Sequence, residues 1–270
     1  MWSDLERAPL RTAALRSALV VPHGPYAGID VRAEAGSTNA ELAATPCAPD
    51  RTVLVAEHQS AGRGRAGRSW VAPARSGLAV SVLLRPEGVP QARWGWLPLL
   101  AGVALCEVVG ELGEIEAVLK WPNDLLLGPH GRKGAGILAE VVGRTGVVVG
   151  IGLNVTVRAE ELPVPEATSL VIERAACTDR EGLLRALLRR LDAHERRWRE
   201  QGGDPAASGL DEAYRRHCAT VGRPVRVELP ARDPLLGTAV DVDGEGRLVV
   251  EVTGQRHALS AGDVTHVRVG

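Results

Sequence analysis

Phenylalanine is absent from this 270-residue chain, tyrosine occurs twice and methionine once. Lysine is nearly as scarce: Lys120 and Lys133 stand against thirty arginines among 32 basic residues. Asparagine occurs at three positions, Asn39, Asn123 and Asn154. A sequence that avoids lysine and asparagine almost everywhere keeps them where arginine or aspartate would not serve, so these positions are candidates for function. Charge of one sign is also lacking: the net charge is −1, which argues against a nucleic-acid surface. The four cysteines, Cys47, Cys106, Cys177 and Cys218, are too widely spaced for a metal-type pair and read as reduced, cytosolic, mostly core residues. No apolar run approaches about 20 residues, and the N-terminus has acidic residues but no apolar signal core. Neither secretion nor a membrane span is therefore expected.

The apolar fraction is 45%, enough for a sizeable core, and the length suits one large domain or a domain with a small appendage. The most unusual stretch is Gly62-Arg63-Gly64-Arg65-Ala66-Gly67-Arg68-Ser69-Trp70. Glycine lets other atoms approach closely, and the arginine fork matches carboxylate and phosphate oxygens. A flexible cationic loop of this kind suits an anionic ligand, although a mobile surface loop has the same composition. It is neither a P-loop nor a dinucleotide fingerprint, because it lacks the Gly-Lys-Ser/Thr ending of the one and the strand-to-helix setting of the other.

Along the chain, residues 9–20 read as a short amphipathic helix. About thirty residues precede the first motif, too few for a winged helix-turn-helix. Gly36-Ser37-Thr38-Asn39 opens a helical stretch; its hydroxyls suit an N-cap or a polar ligand. Residues 52–57 and 78–84 read as strands, 90–111 as a long apolar helix with Trp94 and Trp96 in packing roles, and 115–120 as another strand. That strand leads into Lys120-Trp121-Pro122-Asn123-Asp124, which places a cation, an amide and a carboxylate at a strand end. In Gly131-Arg132-Lys133-Gly134-Ala135-Gly136-Ile137-Leu138-Ala139-Glu140 a regular strand puts Gly134 and Gly136 on one face. Gly150, Gly152 and Asn154 share a face in the same way. Paired strand glycines floor a flat slot for a ligand or allow close packing of a helix. Trp70 suits a core anchor or a stacking surface equally. Residues 180–201 read as a helix whose arginine face is solvated. After Gly222 five short strands, the last Thr265–Val269, suggest a small β-barrel.

Taken together, Ser37-Thr38-Asn39, Gln59 with the Gly62–Trp70 loop, Lys120–Asp124, Lys133–Leu138 and Gly150–Val155 resemble the biotin protein ligases. The motifs run in family order over nearly the whole chain. The resemblance implies an α+β fold: a mixed-sheet catalytic domain of the biotin/lipoate ligase type, like that of class II aminoacyl-tRNA synthetases, with a C-terminal SH3-like barrel. The division expected is an N-terminal helical segment at 1–22, a catalytic domain at 23–220 and the barrel at 221–270. The implied form is monofunctional, without a DNA-binding domain and with no nucleic-acid or membrane partner. It activates biotin with MgATP as biotinyl-5′-AMP and passes it to a lysine of a biotin carboxyl carrier domain, of an acyl-CoA or pyruvate carboxylase, in the cytoplasm, as monomer or homodimer. By the same resemblance Ser37, Thr38, Asn39, Gln59, Gly62, Arg63, Arg65, Lys133, Gly136, Gly150 and Gly152 meet biotin. Arg65, Arg68, Trp70, Lys120, Asn123 and Asn154 meet ATP or the adenylate. Lys133, Arg65 and Asp124 take catalytic roles, and no residue is assigned as a metal ligand. The loop is expected to be mobile without ligand and to close over the adenylate.

Overall fold

The computed structural model describes residues 7–45, 47–229 and 233–267. Seven strands form one sheet: β1 (Gly28–Arg32), β2 (Thr52–Ala56), β3 (Gly77–Leu84), β4 (Ala117–Lys120), β5 (Asp124–Leu127), β6 (Arg132–Val142) and β7 (Gly146–Asn154). Their spatial order is β1-β2-β3-β7-β6-β5-β4. β1 and β2 are parallel and the remaining neighbours antiparallel, so the sheet is mixed. Period-two alternation divides its two faces. Val80, Val82, Val149, Ile151 and Leu153 point into the main core, whereas Ser81, Gly150, Gly152 and Asn154 take the alternate positions.

Helices α1 (Thr12–Leu19), α3 (Trp96–Gly113), α4 (Arg180–Glu200) and α5 (Leu210–His217) cluster on the core side, and the short α2 (Thr38–Ala43) lies against β3, β6 and β7. α3 is apolar on nearly every side because it lies between the sheet and α4. The expected 90–111 helix begins later. Gln91–Arg93 form a 3₁₀ turn, and the α-helix starts at Trp96. By length and composition the segment Gln91–Gly113 could cross a membrane, but most of it is buried inside the protein, as in a core helix.

β8 (Pro224–Glu228), β9 (Leu235–Val242), β10 (Leu248–Val252), β11 (Gln255–Leu259) and β12 (Asp263–His266) make a second, fully antiparallel sheet, ordered β11-β10-β9-β8-β12. The last strand was expected to run to Val269; residues 268–270 lie outside those described. Two buried tryptophans join the sheets. The Trp96 and Trp121 indole N–H groups donate to the carbonyls of Asp243 and Gly246 in the β9–β10 turn, at 3.2 Å each. The apolar ring is thus buried while its single donor is satisfied. A side chain at Gly95 would collide with the Glu245 carbonyl.

Three of the four cysteines belong to the core as expected: Cys106 is buried, and Cys177 and Cys218 pack half-buried against it, while Cys47 is exposed. Two expectations are corrected. The arginine face of α4 is paired rather than simply solvated: Arg190 meets Glu107 and Glu111, and Arg199 meets Asp50 and Glu195. The other concerns Gly134, whose strand is not regular.

Candidate functional site

The β5–β6 register slips by one residue. Leu125 faces Ala135, but Leu126 faces Lys133, so Gly134 is an extra residue. Such a bulge inverts the alternation and re-aims a side chain. Gly134 therefore turns toward the buried side chain of Leu127, while Gly136 turns the other way, toward Trp70 and Lys133. The two glycines do not share a face. Without the slip Lys133, three positions from Gly136, would point into the core. With it, Nζ lies 2.5 Å from Asp124 Oδ1. Asp124 Oδ1 is buried and has no hydrogen bond of good geometry, so this ion pair is its polar contact among the described residues. The Lys133 backbone is clamped from outside: its N–H donates to Glu166 O, and its carbonyl accepts from Thr168 N–H, both at 2.8 Å.

The loop is a tight hairpin. Arg63 and Ser69 pair across it, Trp70 N–H donates to Gly62 O at 2.9 Å and Gly64 N–H to Arg68 O at 2.6 Å. Ala66 and Gly67 turn the chain with φ of 52° and 73°, values that favour glycine at the second. A Cβ on Gly62 would strike the Trp70 carbonyl, which is why the neck of the hairpin needs glycine. Trp70 lies over the glycine floor, and a Cβ at Gly152 or Gly136 would meet its indole. Burial, with Arg68 alongside, lowers the Arg65 pKa below the ordinary guanidinium value, and Asp124 and Asp263 oppose that shift. Arg68 reaches Asp263 of β12 at 3.2 Å, but both side chains are 59% exposed, so the pair contributes little.

These elements enclose a cavity of about 570 Å³. Ser37, Thr38, Asn39, Gln59, Arg63, Arg65, Arg68, Trp70, Lys120, Asn123, Asp124, Lys133, Gly136, Gly150, Gly152 and Asn154 all line it. Gly62 does not. It lines an adjoining cleft of about 770 Å³ that shares Arg63, Arg65, Arg68 and Asn123 with this cavity. Ser37 is the N-cap of α2, accepting from Ala40 N–H at 3.4 Å. All three asparagines are tied to protein carbonyls: Asn39 to Leu138, Asn123 to Ile137 and Asn154 to Thr168, each at 3.0 Å. Asn39 in particular has both ends of its amide engaged, with Nδ2 also on Glu140 and Oδ1 accepting from Ser81.

Comparison with known proteins fits this geometry. The Biotin/lipoate A/B protein ligase family matches residues 37–155, and the Biotin protein ligase C terminal domain matches 220–267. The chain is 45% identical to the Biotin--[acetyl-CoA-carboxylase] ligase of Mycobacterium tuberculosis, over 98% of each chain. The chain belongs to the biotin protein ligase family. A biotin protein ligase of Aquifex aeolicus, solved in complex with biotin and ATP, superposes with a TM-score of 0.72 at 26% identity, covering 90% of this chain and 100% of that one. The bifunctional ligase/repressor of Escherichia coli is 33% identical over 78% of this chain, which spans 65% of that protein.

Within this biotin protein ligase the sequence left several site residues unmarked. Ser81 is fully buried behind Thr38 and Asn39; a serine in an apolar strand was its only signal. Glu140, at the end of the Gly131–Glu140 stretch but given no role there, holds Asn39, and Glu166 binds the Lys133 backbone from outside the motifs. Glu57, two residues before Gln59, pairs with buried Arg180 at 2.7 Å and accepts from Leu10 N–H. The N-terminal segment thereby buttresses the strand end that positions Gln59.

Proposed function

We propose that the chain is an ATP-dependent ligase that joins biotin to AMP and transfers the biotinyl group to a carrier-domain lysine of a carboxylase. The single observation that supports this best is the bulge that turns Lys133 into the cavity beside Gly136, Trp70 and Asp124. Attack of a carboxylate on an α-phosphate brings like charges together. A preorganised cation at that point stabilises the transition state, and losing one such contact costs about 3 kcal/mol. Lysine, a compact point charge, fits between the two better than a planar guanidinium.

In this reading Ser37, Thr38, Gln59 and the Arg63 backbone hold the ureido ring. Gly136, Gly150 and Gly152 leave room for the ligand. Arg65 and Arg68 face phosphates, Trp70 covers the adenine, and Lys120, Asn123 and Asn154 line the nucleotide end. Asp124 releases Lys133 when the substrate anions arrive and then orients the incoming amine. That amine has a free pKa near ~10.4, so it must lose its proton in the site. Magnesium enters with the nucleotide as part of the substrate. The loop opens to admit ligands and closes over the adenylate. The enzyme works in the cytoplasm, with residues 23–220 forming the catalytic unit and 221–270 the appended one.

Single-turnover formation of biotinyl-AMP tests the reading. Wild-type protein is expected to form it, and Lys133→Ala to be slower by about two orders of magnitude or more. Binding of biotin without adenylate would reduce the chain to a sensor, and activation of lipoate in place of biotin would move it to the sister activity.

A further inference from the structure

The chain that leaves β7 makes a loop, residues 156–168, and returns to the strand where Asn154 Nδ2 donates to Thr168 O at 3.0 Å. Val164 and Ala167 of this loop line the cavity beside Lys133. Its far end holds the Lys133 backbone through Glu166 O and Thr168 N–H. Its near end is a 3₁₀ turn, Ala159–Glu161, in which the Glu161 carboxylate accepts from Arg158 N–H at 2.9 Å. A single turn of helix has little stability of its own, so its place must be fixed from outside. Arg7, 154 positions away in the chain, reaches it. One guanidinium nitrogen, Nη2, donates to Glu161 Oε2 at 2.6 Å and to Thr156 O at 2.9 Å. The Arg7 side chain is 11% exposed and that of Glu161 27%, so water screens this pair less than it screens a surface pair. Burial pushes the Glu161 pKa up, but the hydrogen bonds from Arg7 and the Arg158 backbone, with both arginine charges, bring it below its ordinary value.

The other contacts of the N-terminal segment lead elsewhere. Leu10 N–H donates to Glu57, and Ala8 O accepts from Arg180. Both run through the backbone to the strand end that positions Gln59, and neither needs the Arg7 side chain. The side chain therefore serves the loop, and the backbone beside it serves the opposite end of the cavity. We propose that Arg7 is a positioning residue for the adenylate-forming step: through Glu161 and Thr156 it pins the 156–168 loop, which in turn holds Lys133 and the cavity wall around the nucleotide. The inference rests on the ligase reading, in which Lys133 meets the α-phosphate and Asn154 lines the nucleotide end.

Three measurements on the full chain test it: the Kd for biotin, single-turnover adenylate formation at saturating biotin over a range of MgATP, and the release of labelled biotinyl-AMP chased with unlabelled biotinyl-AMP. Arg7→Ala is expected to raise the half-saturating MgATP concentration and the release rate about ten-fold each, while the Kd for biotin stays within about two-fold of wild type. Glu161→Gln is expected to move the same two quantities in the same direction. The double variant is expected to be little worse than Arg7→Ala alone, because both residues act through one contact. Arg7→Lys is expected to recover most of the loss, since both bonds leave a single nitrogen and an ammonium can make both. A merely structural role would weaken biotin and MgATP in equal proportion. That result, or Arg7→Ala at wild-type values throughout, overturns the inference alone. Wild-type protein that forms no adenylate overturns the inference and the ligase reading together.

Discussion

Gly150 and Gly110 both lack a side chain, but only one of them makes room for something. A Cβ at Gly150 would fall on the Asn39 amide, which is held by Leu138, Glu140 and Ser81 and has nowhere to go. Gly150→Ala is therefore expected to destabilise the protein by about 1–3 kcal/mol and to weaken biotin binding. Gly110 lies within α3 with no atom near its missing Cβ, so Gly110→Ala is expected to stabilise by roughly 0.5–1 kcal/mol through backbone entropy. Urea midpoints at constant m-value check both; a Gly150→Ala midpoint at or above wild type would mean that the Asn39 anchorage yields. Lys133 is the other residue whose environment discriminates sharply. Asp124 and the bulge are shaped around an ammonium, so Lys133→Arg is expected to lose adenylate formation by at least about ten-fold despite retaining the charge. Single-turnover rates near wild type would show that charge alone suffices.

The elements that place these residues were mostly legible because their patterns are local. The glycine alternation in β7, the N-cap before α2 and the apolar run of β3 mark their own structure. What was not legible depends on a partner strand or a distant side chain. Regular alternation assigned Gly134 and Gly136 to one face, and only the slip against β5 separates them. The arginines of α4 looked solvated because several of their partners lie elsewhere in the chain, Glu107 and Glu111 for Arg190 and Asp50 for Arg199. Within α4, Glu195, 1% exposed, sits between Arg199 and the distant Arg51, which also meets Asp192. Burial raises the Glu195 pKa, and the charges of Arg199 and Arg51 oppose that rise. Removing the carboxylate leaves two arginines partly buried with a partner lost, so Glu195→Ala is expected to cost about 3–5 kcal/mol. A change below about 1 kcal/mol, the range of exposed pairs, in equilibrium unfolding would return this cluster to the status of solvated surface.

At the scale of the whole molecule, one hydroxyl joins the second sheet to the Lys120–Asp124 turn beside the contacts of Trp121 and Arg68. Thr220 Oγ1 accepts from the Trp121 backbone N–H at 3.0 Å and forms a hydrogen bond with His266 Nε2 at 3.1 Å. Burial, with the charges of Lys120 and Arg223, lowers the His266 pKa to about 4 from 6.5. Above pH 6.5 the imidazole is neutral folded and unfolded, and its contribution to stability is fully present. As pH falls from 6.5 toward 4 the unfolded chain takes up a proton that the folded chain refuses, so stability is lost; below about 4 both states are protonated and the loss stops. His266→Gln has no such proton, and wild-type protein is expected to lose stability relative to it across this window. Glu107 acts lower down. Burial pushes it up, but the hydrogen bonds and charges of His194 and Arg190 prevail and hold it at about 2, so its contribution is present above 4.5 and fades as pH falls toward 2. Unfolding midpoints of wild type and His266→Gln between pH 7 and 4 decide the matter. A difference that stays constant would show that His266 titrates normally and that its contact with Thr220 does not hold the Lys120–Asp124 turn to the second sheet.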